Sequence, residues 1–238
     1  MVAIARLPLL PYTQRAMFRR LFPLALLLLL VGCGSSALRF TLTTNISDAA
    51  KRTELMEASK RVVERRLSSL GTKSTDLTIT SETDETASLS FSPQDGTVKD
   101  EITKELITPF SLEIMLFNGK DKEKDKGDLY VDEQGWFTKT GINEKSIIWA
   151  KASTDEWGKG EVALDFTPEG RALLKKIFQE HTGGQLGLFV RNRLMSKLLI
   201  DTKDLKENIV IAGIPSPDIA GIFADDVNTG AHVTFSLP

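Results

Sequence analysis

Leu38, Phe40 and Leu42 alternate with polar neighbours, which predicts a strand over 38–44. Ser47 or Asp48 is placed to cap a helix running to about Leu70, with Leu55, Ala58, Val62, Leu67 and Leu70 as its apolar stripe and Gly71 as its stop. The other face carries Lys60, Arg61, Glu64, Arg65 and Arg66 and reads as a solvated surface. Two further strands follow, over 75–80 (Leu77, Ile79) and 87–91 (Leu89, Phe91), joined by a polar turn over 81–85. A short helix is predicted over 96–108 from Val98, Ile102, Leu106 and Ile107, then a strand over 111–117.

The order β-α-β-β-α-β over 38–118 predicts an α+β fold, a ferredoxin-like base with two helices over an antiparallel sheet. Residues 119–159 read as a connector of loop and short strands. It contains a charged loop, a small hairpin around Trp136-Phe137 and a strand near Ile147 to Ala150. The second unit, 160–238, opens with the alternation Val162, Leu164, Phe166. Thr167-Pro168-Glu169 then supplies a hydroxyl cap, a proline at the first helical position and an acid near the positive helix end. That helix stops at Gly183-Gly184. A hairpin turns through Arg191-Asn192-Arg193, and a strand over 208–214 leads to a helix ending at Gly230. A last strand over 232–237 completes a second two-layer α+β unit, the head. Trp136 and Phe137 are expected to pack between the two units.

The first 32 residues follow a different grammar. A basic region ending in Phe18-Arg19-Arg20 precedes the leucine-rich stretch Leu21 to Val31, too short to span hydrocarbon, which takes about 20 residues. Leu30-Val31-Gly32-Cys33 then reads as a lipobox. Small Gly32 fits the peptidase cleft, and the Cys33 thiol accepts the lipid. The expected product is a lipoprotein on the cell membrane or the outer membrane, facing the extracytoplasmic side, since two or more acyl chains anchor stably. Residues 33–37 are its tether. Met17 begins a compact basic region of its own, so translation can start at Met1 or at Met17.

Charge and rare residues narrow the chemistry. The first 32 residues hold four arginines and no acid; without them 26 basic face 32 acidic side chains, a net charge of −6. Nucleic-acid binding needs the opposite balance. One cysteine excludes a disulfide framework, and two histidines, His181 and His232, are too few for a histidine metal cluster. The run from Gly119 to Gly127 has acids at alternate positions, but its glycine is misplaced for a calcium loop and its lysines cancel the charge. Nucleophile elbow, Walker loop and zinc-protease motifs are missing from the sequence. Gly183, Gly184 and Gly187 follow a helix and are no dinucleotide fingerprint. Asp225-Asp226 and Asp165 with Glu169 are acid pairs better explained as a solvated surface and a helix terminus. The expectation is a protein that is not an enzyme and holds no metal or cofactor.

The order of several segments resembles the first periplasmic domain of the SecD family, the export-assisting partner of the Sec translocon. They are Val162 to Gly170, Gly184 to Val190, Ile209 to Gly213 and Asn228-Thr229-Gly230, with Val63 to Gly71 and Phe110 to Phe117 before them. The resemblance covers nearly all of 38–230. It implies a base and head, with translocon components or exported polypeptides as partners. Two departures stand out. The family's hairpin turns through Asp-Gly where this chain has Arg191-Asn192, and the family's transmembrane helices are missing from this sequence. The resemblance therefore carries over no proton-driven work. A lipoprotein that keeps the fold but binds an envelope partner unrelated to export is the alternative.

Overall fold

The computed structural model describes residues 37–120, 127–202 and 208–238. Residues 37–238 form one compact unit of α+β architecture. Twelve strands and four helices are described, with two 3₁₀ turns at Gly96–Val98 and Glu144–Ser146.

The first sheet is built from β1 (Leu38–Thr44), β2 (Ser74–Ser81) and β3 (Thr86–Pro93), with β12 (Val233–Ser236), in the order β12-β1-β3-β2. Helices α1 (Ala49–Ser69) and α2 (Lys99–Ile107) share one core with it. The local signals act as the sequence implies. Asp48 caps α1 by accepting from the Lys51 amide at 2.8 Å, and Gly71 closes it in the left-handed region at φ 75°. Phe40, Leu42, Leu89 and Phe91 meet Leu55, Val63, Leu67 and Ile102 in the interior.

The fourth strand of this sheet is not the expected one. The segment over 111–117 was expected to close it, but β4 (Leu112–Gly119) leaves the base and lies at the centre of a second sheet. There it joins β5 (Leu129–Val131), β6 (Gly135–Asn143), β9 (Gln185–Val190) and β10 (Arg193–Leu199), ordered β10-β9-β4-β6-β5. The C-terminal β12 returns to pair with β1, Leu42 opposite Phe235. Burial explains the exchange. Ile114 and Met115 are adjacent, so they point to opposite faces, and both are buried; such a strand belongs inside a sheet covered on both sides. Val233 and Phe235 are buried while Thr234 and Ser236 are exposed, the pattern of an edge strand with one wet face.

Residues 119–159 are correspondingly more than a connector. They supply β5 and β6 to the second sheet and β7 (Ile147–Thr154) to a third, which has the order β11-β8-β7 with β8 (Gly160–Phe166) and β11 (Ile209–Ile214). Thr167 caps α3 (Pro168–Glu180) through the Gly170 amide. Helix α4 (Pro217–His232) packs on β7 and β8 and also on α1. It runs two residues past the expected stop at Gly230. That glycine is required for close approach, because a Cβ there would collide with the Phe110 ring.

Candidate functional site

Three features around α4 and the adjoining sheet edges set out what this fold can do. The first is a charged seam. Arg61 and Arg65 are four residues apart on α1 and so share one face. They meet the consecutive Asp225 and Asp226 of α4. Arg61 donates to both Asp225 oxygens at 2.8 and 2.7 Å, and Arg65 donates to Asp225 at 3.1 Å and to Asp226 at 2.9 Å. The hydrogen bond to Asp225 is the largest influence holding the Arg61 guanidinium above its ordinary pKa. Arg66 reaches Glu105 of α2 at 3.3 Å. The basic face of α1 and the Asp225-Asp226 pair, both expected to be solvated, are thus partners of one another.

The second feature is a polar bolt between α4 and β7. Asn228 is 5% exposed. Its Oδ1 accepts from the Ala150 amide at 2.7 Å and its Nδ2 donates to the Ala150 carbonyl at 2.8 Å, so one side chain satisfies both backbone groups of β7 at that residue. One turn on, His232 places one ring nitrogen 2.9 Å from the Ile148 carbonyl and the other 2.9 Å from Asn45 Oδ1. Its ring stacks on Trp149 at 5.9 Å, and Lys51 Nζ lies 5.4 Å from the Trp149 ring. Burial pulls the His232 pKa below its ordinary value; the Ile148 hydrogen bond opposes this and Lys51 reinforces it. His232, expected to start a strand, is the buried last residue of the helix.

The third feature is a groove between strand edges. Among the described residues β10 pairs with β9 alone and β11 with β8 alone, leaving one edge of each unpaired. A cavity of about 640 Å³ lies there, walled by Phe178, Leu186, Leu198 and Ile209 and bordered by Lys197 and Asp201. Met195, Leu199 and Val210 on these strands are 55%, 61% and 49% exposed. Unpaired backbone beside apolar side chains is the chemistry that accepts an added strand.

The other sequence-predicted positions are dispersed. Gly32, Cys33 and most of the charged loop lie outside the described residues. Asp165 is half-buried on β8, and Glu169 is exposed in the first turn of α3. His181 forms the C-cap of α3. Gly183 is left-handed at φ 84°, as a helix stop requires, while a Cβ at Gly187 would strike the Phe137 ring at 2.6 Å. Phe137 is buried against Phe117 and Phe189, and Trp136 packs edge-on to Tyr130. Among the described residues no three His, Cys, Asp or Glu side chains are grouped to hold a metal ion, and no helix is long and apolar enough to cross a membrane.

No family model matches the chain, and no curated protein matches it in sequence. In structure the chain is similar to SecDF. One solved structure, of a membrane component SecDF that enhances protein export, is 18% identical with a TM-score of 0.47; the match covers 84% of this chain and 97% of that one. SecDF in its super-membrane-facing form is 18% identical with a TM-score of 0.47. SecDF from Thermus thermophilus, a translocon-associated membrane protein, is 17% identical with a TM-score of 0.48. The match covers 94% of this chain and 35% of each of these two longer chains.

Proposed function

We propose that this protein is an extracytoplasmic module, held at the membrane by lipid on Cys33, that binds extended polypeptides and assists Sec-dependent export. The observation that carries the reading is the groove between β10 and β11, where two unpaired strand edges flank apolar walls. A polypeptide entering it adds backbone hydrogen bonds to an edge, independent of sequence, and places alternate side chains against Phe178, Leu198 and Val210. Such a site suits a changing population of unfolded chains. The order of SecD-like segments along the sequence supports the export setting. The role is one of binding, with no catalytic step and no cofactor.

The test is binding of a fluorescent, unstructured apolar peptide to the detergent-solubilised full chain. Leu199→Lys and Val210→Lys change groove-lining side chains that are already half or more exposed, so the fold is retained. Each substitution is expected to weaken the peptide by about tenfold, equivalent to about 1.4 kcal/mol. Unchanged binding in both variants, or no binding to the parent protein, contradicts the proposal. If membranes yield an envelope complex free of translocon components, the same fold serves as an interaction lipoprotein without a role in export.

A further inference from the structure

The β9–β10 turn places two residues in the left-handed region, Arg191 at φ 49° and Asn192 at φ 62°. Turns of this type favour Asn, Asp or Gly at the first position, because a longer side chain is strained there. Arg191 makes the same turn at a greater conformational cost, and its amide is fixed by a 2.9 Å bond to the Ser111 carbonyl. Strain retained in this way points to a task for the side chain.

The Arg191 side chain lines a cavity of about 500 Å³ bounded by the ends of α1, α2 and α4 and by the 144–146 turn. That volume lies within the range of small-ligand sites, roughly 300–1,000 Å³. Two lining residues carry buried polar atoms without a hydrogen-bond partner, Arg191 Nε and Thr229 Oγ1. Thr229 is 3% exposed, so bulk water does not compensate it. The acids lining the cavity are already engaged. Glu105 holds Arg66, Asp226 holds Arg65 at 2.9 Å, and Glu144 accepts from the Leu112 amide at 3.4 Å. Arg191 forms no ion pair with a described residue, and the lining holds two further cations, Arg66 and the exposed Lys145. Burial, reinforced by nearby Arg66 and opposed by Asp226 and Glu105, holds the Arg191 guanidinium below its ordinary pKa. Leu106, Phe110 and Phe235 give the cavity an apolar side.

We propose that this cavity binds a carboxylate on a short hydrocarbon stem, with the Arg191 guanidinium and the Thr229 hydroxyl as its donors. A planar fork pairs naturally with a carboxylate. A dianion such as phosphate is disfavoured by Glu105, Glu144 and Asp226, which share the space. The carboxylate can belong to an acidic polypeptide side chain or to a free small acid. The site is separate from the β10–β11 groove and does not depend on it.

The test is an NMR titration of the detergent-solubilised full chain, labelled with ¹⁵N-arginine, reading the Arg191 Nε–Hε resonance. Butyrate is the free-acid probe, a blocked Gly-Glu-Gly tripeptide is the polypeptide probe, and butyramide is the neutral control. A saturable shift with either acid, and none with butyramide, is expected. A response to the tripeptide alone assigns the source to polypeptide; a response to butyrate assigns it to a small acid. Arg191→Asn suits the left-handed turn, so it retains the fold; read at the Nε–Hε resonance of Arg66 in the same cavity, its binding is expected to be weaker by at least about tenfold. Thr229→Val keeps the side-chain shape and is expected to weaken binding several-fold. Absence of a saturable shift with both acids overturns the proposal, as does undiminished binding in both variants.

Discussion

Arg61 and Asp225, 164 residues apart in the chain, form a two-point ion pair with contacts of 2.8 and 2.7 Å. The pair joins the first long helix to the last one. Its strength is limited on one side, because the Arg61 side chain is 50% exposed while that of Asp225 is 14% exposed. A double-mutant cycle between Arg61→Ala and Asp225→Ala should therefore give a coupling of about 0.5–1 kcal/mol, read from denaturant unfolding. Asp225→Ala alone should cost more than Arg61→Ala alone, since it strips a partner from both Arg61 and Arg65. Equal costs would mean that Arg65 gains nothing from Asp225.

Asn228 is the position where a small change should do most harm. Asn228→Ala leaves the amide and carbonyl of Ala150 without their partners inside the protein. The expected loss is about 2–4 kcal/mol in unfolding free energy. Asn228→Asp should also destabilise, because a carboxylate cannot donate to the Ala150 carbonyl.

His232 makes stability depend on pH. Its folded pKa lies below the ordinary 6.5, and burial is the main cause. As pH falls through 6.5 the unfolded chain takes up the proton first, so this contribution to stability is complete above that pH and declines below it. The decline ends once the folded-state pKa is passed. His232→Gln should flatten the difference in melting temperature between pH 7.5 and pH 5.5 relative to the parent. An identical slope in the two proteins would remove His232 as its source.

Gly230 is expected to tolerate no side chain. Gly230→Ala drives a methyl group into the Phe110 ring, and a loss of about 1–3 kcal/mol follows if the ring must move. Phe110→Leu in the same chain should recover part of that loss, which calorimetry of the single and double variants would measure.

Local grammar in the sequence predicted the elements well and their partners poorly. The alternation of Phe40 and Leu42, the Asp48 cap and the Thr167-Pro168 helix start are short-range signals, and each appears where it was expected. The identity of the strand beside β1 is a long-range choice. The 233–236 segment alternates apolar and polar residues, whereas Ile114-Met115-Leu116-Phe117 is an unbroken apolar run, the pattern of a strand covered on both faces. The seam was hidden for the same reason. Arg61 and Arg65 look solvated until α4 brings Asp225 and Asp226 to them. His232 was misplaced because Gly230 resembled a helix stop, whereas its role is to admit Phe110. The Arg191 cavity had one visible signal, an arginine in a two-residue turn where Asp-Gly was expected.

The most direct test of the central claim is in-cell crosslinking of the intact protein followed by recovery from membranes, with Cys33→Ala as the unanchored control. Translocon subunits or nascent exported chains should be recovered with the parent protein and lost with Cys33→Ala. Recovery of a different envelope complex with no exported chain would contradict the export role.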